Sequence, residues 1–293
     1  MLALHVVPAA ATRIVVVLNG RRAHVFAATV AGGVALLASG CGERAEPVGT
    51  QADLYPLTIT TADDRPITLR AAAERIAVFD RGTRAILVAL GAGKRIVDVG
   101  DQPDLVVAPS ATGGTTLSQI AANGAAVYVM PDTSVREIER AITQLGLITA
   151  EPAAARGLVR DIESQRAAVA ARLRGQPRVS AFVDLGHFTT ASDQTLIGDL
   201  LREAGGRNVA AQTASDGPFD VRQLVGLDPD VYIATTGSGT SLATLRKHPR
   251  ARKLSAVRRG RVVIVAGRLL EPGPAIGRGL EQLAEALHPG ATG

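Results

Sequence analysis

Several short apolar runs rich in Val and Ile are each followed at once by polar side chains. "RIAVF" leads into Asp80, Arg81 and Thr83, "DLVVA" into Ser110 and Thr112, and "VYVM" into Asp132. "AFVDL" leads into His187, Phe188 and Thr189, "VYIA" into Thr235 and Thr236, and "VVIVAG" into Arg268 and Glu271, while Phe219 precedes a short helical stretch. In α/β sheets ligands bind beyond the carboxyl ends of the strands, so these residues together describe a crevice that binds rather than a centre that reacts. A guanidinium at Arg81 suits bidentate contact with carboxylate or catecholate oxygens; its alternative role is a surface salt bridge. Asp80 and Thr83 either cap the following helix or touch ligand. His187 is either an axial ligand to haem iron or a loop histidine with an ordinary hydrogen bond. Phe79, Phe188 and Phe219 are candidates to line the crevice.

Other chemistry is excluded. "GAGK" at 91–94 follows a helix rather than a strand, and Arg95 replaces the Ser or Thr that would hold Mg²⁺, so it is not a phosphate loop. There is no G-x-S-x-G elbow and no triad pattern, and the chain is read as a non-enzyme without a resident cofactor. A bare Zn²⁺ or Mn²⁺ site wants several converging His and carboxylates. His5 and His24 lie in the leader, His248 in a basic stretch and His288 near the end, which leaves His187 alone in the crevice and no metal site.

Apolar residues make up 46% of the 293, enough for a sizeable core, while aromatics are only 3%. Residues 1–41 contain three arginines and no acid; the remainder carries 29 basic and 27 acidic residues, a balance that asks for no nucleic-acid partner. Arg21-Arg22 precede the uncharged stretch "VFAATVAGGVALLA", which is short for a membrane span but right for the core of an export signal. "LLASGC" then places the only cysteine, Cys41, where a bacterial lipobox would be cut and diacylated. Residues 42–53 read as a flexible tether from a lipid anchor on the outer face of the cytoplasmic membrane.

The folded part requires the following elements. Alternation in "LTITTADDRPITL" predicts an antiparallel hairpin. From 75 onward strands and helices alternate, with helices expected at 83–90, 115–122, 193–204, 221–227 and 275–287, a basic helix before the last strand, and a helix opened by the Ser134/Glu137 capping pair and stopped by Gly146. Residues 151–174 form the longest helical candidate, a rod of about 36 Å, whose apolar stripe is interrupted at Gln165-Arg166. The plan is α/β: an amino-terminal lobe at 54–149, the rod at 150–175 and a carboxy-terminal lobe at 176–293, each lobe with a mainly parallel sheet and its own interior. One place resists this plan. In "RIVDVGDQPDLVVAPS" two strand-like runs are separated by only five residues, too few for a parallel crossover. The first run must become an antiparallel or frayed edge, or leave the sheet.

The phrases "ERIAVFDRGTRAILVALGAGKRIV", "PDLVVAPS", "VYVMPDTS", "LIGDLLREAGGRNV", "LDPDVYIATTG", "VRRGRVVIVAG" and "EPGPAIGRGLEQLAEALHP", in this order, resemble the class III substrate-binding proteins of bacterial ABC importers. The resemblance implies two lobes bridged by a rigid helix, a monomer, and an iron chelate, a ferric siderophore or haem with cobalamin as the further candidate, held between the lobes for delivery to an ABC permease. It also implies that a crossover segment of about twenty residues is missing between the two runs just quoted, leaving a trimmed first lobe and a more open cleft. Family members dock through a glutamate on each lobe; the first belongs to the missing segment and the second aligns with Arg222, for which Asp216 or Asp220 are substitutes. The alternative reading is an envelope lipoprotein on the same scaffold with an interaction role and no transport.

Overall fold

The computed structural model describes residues 54–212 and 217–290. Cys41, the export signal, the tether and Asp216 lie outside the described residues.

The expected hairpin is present. Strands β1 (Leu57–Thr60) and β2 (Pro66–Leu69) pair antiparallel in full register, Leu57 opposite Leu69. The first parallel sheet has three strands in the order β3 (Ile76–Val78), β4 (Leu105–Pro109), β5 (Ala126–Met130). Helix α1 (Arg81–Ala89) follows β3 and ends at Gly91, whose φ of +90° suits a glycine. Helix α2 (Gly114–Ala122) lies between β4 and β5, and α3 (Val135–Ile148) follows β5.

The short link resolves as a frayed edge. The run 95–99 contributes a single parallel bridge, Ile96 to Ile76, on the side of β3 away from β4, and then peels off. The chain never climbs the sheet, so no crossover back is needed. It turns beneath β3 instead. There the Asp104 carboxylate accepts the amides of Glu74 (2.9 Å) and Arg75 (3.2 Å), and the Arg75 guanidinium donates to the carbonyls of Asp101 and Gln102. Val99 is left 51% exposed.

Helix α4 (Pro152–Arg172) is continuous over 21 residues, about 32 Å, with Pro152 in its first turn. Beyond it lie β6 (Val179–Asp184), β7 (Thr189–Thr190), α5 (Leu196–Glu203), β8 (Gly206–Asn208), β9 (Gly217–Pro218), α6 (Val221–Leu227), β10 (Val231–Thr235), α7 (Leu242–Lys247), α8 (Ser255–Arg258), β11 (Val262–Val265) and α9 (Ile276–Leu287). The second sheet is parallel in the order β11-β10-β6-β8, and β7 and β9 form a two-residue antiparallel ladder.

Several local expectations are corrected. Gly146 does not stop α3, which runs on to Ile148; a Cβ there would lie 2.3 Å from that of Ala155, so this glycine serves the close approach of α3 to α4. Ser134 caps α3 by accepting the Glu137 amide, but the Glu137 carboxylate takes the Thr133 hydroxyl, so only half of the capping box forms. The basic stretch is not one helix. Pro249 separates α7 from a 3₁₀ turn at Ala251–Lys253 and from α8, and most of its charges are solvated above the buried Leu245, Leu254 and Val257.

The lobes do not have separate interiors. One buried cluster runs from Ile59 and Leu105 through Ile142, Ile162 and Val169 to Val183, Ile233 and Leu287. The reason is the helix layer: α4 packs against α3 on one side and α9 on the other, and α5 joins both. The sheets remain separate. A shared core resists hinge bending, because packed interiors deform little.

Candidate ligand site at the lobe junction

Each sheet has one strand from which the chain departs in both directions, and this is where α/β proteins form crevices. In the first sheet it is β3, flanked by Ile96 and β4; in the second it is β6, flanked by β8 and β10. An aspartate ends β6, and another lies two residues beyond β3.

Asp80, beyond β3, is the N-cap of α1, and its Oδ1 accepts the Thr83 amide at 2.7 Å. Its Oδ2 is buried without a hydrogen-bond partner, and so is the hydroxyl of Thr83, a fully buried residue. Both line a cavity of about 220 Å³ together with Ser110, Asp132, Glu271 and Pro272. The Ser110 hydroxyl donates to Asp132 Oδ2. Of the expected residues, Asp80, Thr83, Ser110, Asp132 and Glu271 are therefore brought together. A smaller cavity of about 160 Å³ adjoins through Ser110 and Asp132.

The wall opposite comes from the second lobe. Arg81 Nη2 donates to Glu271 Oε1 at 2.7 Å, with the Arg81 side chain 76% exposed. This is the surface salt bridge held open above as the alternative, and it engages the guanidinium that would have met an anionic ligand. Beside it Gly82 touches Pro272: a Cβ at Gly82 would lie 1.9 Å from the Pro272 carbonyl oxygen. The lobes thus meet at this edge, where a more open cleft was expected. On the far side of the contact, Arg81, Arg268 and Glu271 line a cavity of about 690 Å³ with Arg172 and Arg278. The junction is tied again where the Leu196 amide donates to the Asp132 carbonyl (2.7 Å) and the Val135 amide to Asp199 Oδ2 (2.9 Å).

Gly82→Ala is expected to force the 271–273 segment away from α1. The stability loss should be about 1–3 kcal/mol, the usual cost of overpacking, read as a lower midpoint in urea.

The aspartate at the end of β6 was not among the candidates, because it sits inside the strand pattern. Asp184 is fully buried and accepts four donors: the amides of Gly186 (2.8 Å) and Phe188 (3.0 Å), and the hydroxyls of Tyr232 and Thr240 (2.7 Å each). Burial and the adjacent Asp184 carboxylate push the Tyr232 phenol well above its ordinary range. A buried acid with four donors shapes a turn. It holds His187 and Phe188 at φ of +51° and +61°. His187 is exposed at the tip; Phe188 packs edge-on against Tyr232 and His248. Thr112, His187, Phe188, Thr189 and Thr236 line none of these cavities. Phe219 lines a separate one, of about 580 Å³, and packs at a tilt against Phe182. Phe79 stands 47% exposed at the end of β3. Among the described residues no three His, Cys, Asp or Glu side chains are placed together so as to hold a metal ion, and no helix among them is long and apolar enough to cross a membrane.

Two parallel sheets on one rod are matched at the level of sequence: a family model described as periplasmic binding protein covers residues 95–269. The chain belongs to this family, in its helix-bridged class III form. A cobalamin-binding protein of Halobacterium salinarum is 29% identical over 203 residues, covering 65% of this chain and 54% of that protein. The chain thus spans about half the length of the curated relatives it matches. Among solved structures, an ABC-type Fe³⁺-hydroxamate transport protein of Saccharomonospora viridis superimposes with a TM-score of 0.69 at 22% identity, over 80% of this chain and 99% of that one. The vitamin B12-binding protein of Vibrio cholerae gives 0.66 at 18%, over 73% and 96%. These likenesses establish the periplasmic binding protein fold.

Proposed function

We propose that this periplasmic binding protein captures cobalamin, a ferric siderophore or haem at the lobe junction and delivers it to an ABC permease, carried on a lipid anchor at Cys41. The observation that carries this reading is the cavity at the end of β3, where two buried oxygens, Asp80 Oδ2 and Thr83 Oγ1, have no protein partner. Buried polar atoms are normally paired, and a bound ligand would supply the partner for these two. At about 220 Å³ it is smaller than a site for a whole small molecule. It therefore takes one edge of a larger ligand. The sequence put iron chelates first; the cobalamin-binding relative brings cobalamin level with them.

Calorimetric titration of the full chain with cyanocobalamin, haem and a panel of ferric siderophores tests the reading. At least one should bind with Kd below about 100 μM, roughly −5.5 kcal/mol. No binding at that level rejects transport. The second reading, an interaction protein with no cargo, then takes its place. It is favoured by Arg222, exposed in the first turn of α6 where the family docks through glutamate, and by Asp220 being engaged as the α6 cap through the Arg222 amide at 2.8 Å.

A further inference from the structure

We infer that the pocket at the end of β3 selects ligands whose inserted edge presents hydrogen-bond donors or positive charge, and turns away polyanionic chelates. The inference rests on the transport reading above and names the ligand class for the same site.

The pocket is lined by three carboxylates, Asp80, Asp132 and Glu271, and by no cation. Asp80 Oδ2 is a buried carboxylate oxygen, which can only accept, and it receives no donor from the protein. The Thr83 hydroxyl beside it is fully buried and equally without a partner. The cationic candidate is spent, since Arg81 is held by Glu271 and points outward. The amino end of α1 would otherwise attract an anion, but Asp80 already occupies it. What remains asks for a donor. Primary amides on the rim of a neutral macrocycle, or an ammonium on a chelate, supply one. A tricatecholate or dicarboxylate edge would place negative charge beside Asp80 and Asp132, and like charges brought this close disfavour one another.

Three probes of different charge test this on the full chain by titration at low salt: cyanocobalamin, which is neutral and rich in amides; the cationic ferric trihydroxamate ferrioxamine B; and a trianionic ferric tricatecholate. One of the first two should bind at least tenfold tighter than the third. Asp80→Asn keeps the helix cap, because Asn caps as well as Asp. It should weaken that preferred probe about tenfold without weakening the tricatecholate. Thr83→Val separates ligand contact from structure. Removing an unpartnered buried hydroxyl should leave the melting temperature unchanged or raise it, while affinity for the preferred probe falls at least threefold. The inference is overturned if the tricatecholate binds tightest, or if Thr83→Val leaves affinity unchanged. Failure of all three probes, together with haem, overturns the transport reading itself and this inference with it.

Discussion

Arg166→Ala is expected to cost about 3–5 kcal/mol of stability, the range found when one member of a buried ion pair is removed. Arg166 lies on α4 and reaches both lobes. Its Nη1 donates to Glu139 of α3 at 3.1 Å, and its Nη2 and Nε donate to Glu203 of α5 at 2.6 and 2.9 Å. The three side chains are only 10–23% exposed. Truncation would strand two half-buried carboxylates facing each other. Equilibrium urea unfolding should show the lower midpoint, and Arg166→Lys should recover only part of it, since an ammonium cannot hold both partners in a planar fork. Loss of less than about 1 kcal/mol would show that the triad is solvated.

The same triad carries a pH signature. Burial pushes the Glu139 carboxyl above its usual value in spite of the adjacent guanidinium. An acid whose folded value lies above its unfolded one contributes most to stability below the unfolded value, and that contribution is lost as pH rises through the raised folded value. Glu139→Gln should therefore remove a decline in stability that begins just above the ordinary carboxylate range, measured as urea midpoints from pH 4 to 8.

Asp184→Ala is expected to have a comparable effect, about 3–5 kcal/mol, for a different reason. Four donors lose their acceptor at once, and one of them, the Tyr232 hydroxyl, belongs to a fully buried residue. The turn at 185–189 should loosen with the core. Faster hydrogen exchange at the Gly186 and Phe188 amides would report this directly, and Asp184→Asn, which keeps an acceptor oxygen, should lose less. If exchange at those amides is unchanged, Asp184 does not organise the turn.

These expectations fall on residues that were partly visible and partly hidden in the sequence. The interruption at Gln165-Arg166 was visible as a break in an apolar stripe, and its meaning was not. Arg166 sits there because two lobes converge on that face of α4, and Gln165 because α9 approaches so closely that a Cβ at Gly277 would lie 2.1 Å from its side-chain oxygen. Gly146 looked like a helix stop and is instead a contact point, since local propensity cannot distinguish the two uses of a missing Cβ. The strand-end rule found Asp80, Thr83, Ser110 and Asp132, which share one wall, and equally His187, Thr112 and Thr236, which line none of the cavities above. It could not separate them, because which strand ends converge depends on sheet order and on the segment that closes over them.

From the sequence alone came most of the strand and helix spans, the single rod, the parallel character of both halves and the family, because these follow from periodicity, turn residues and ordered phrases that are written locally. Only the tertiary structure decided three other matters. The run 95–99 peels away from the edge of β3, and Arg75 and Asp104 hold the link that follows it. Arg81 pairs with Glu271, 190 residues distant, rather than with a guest. The two lobes share one apolar interior, because the helices that cover their sheets on one face are packed on each other. Each of these is a long-range choice among partners, and burial and charge settle it only once the chain has closed.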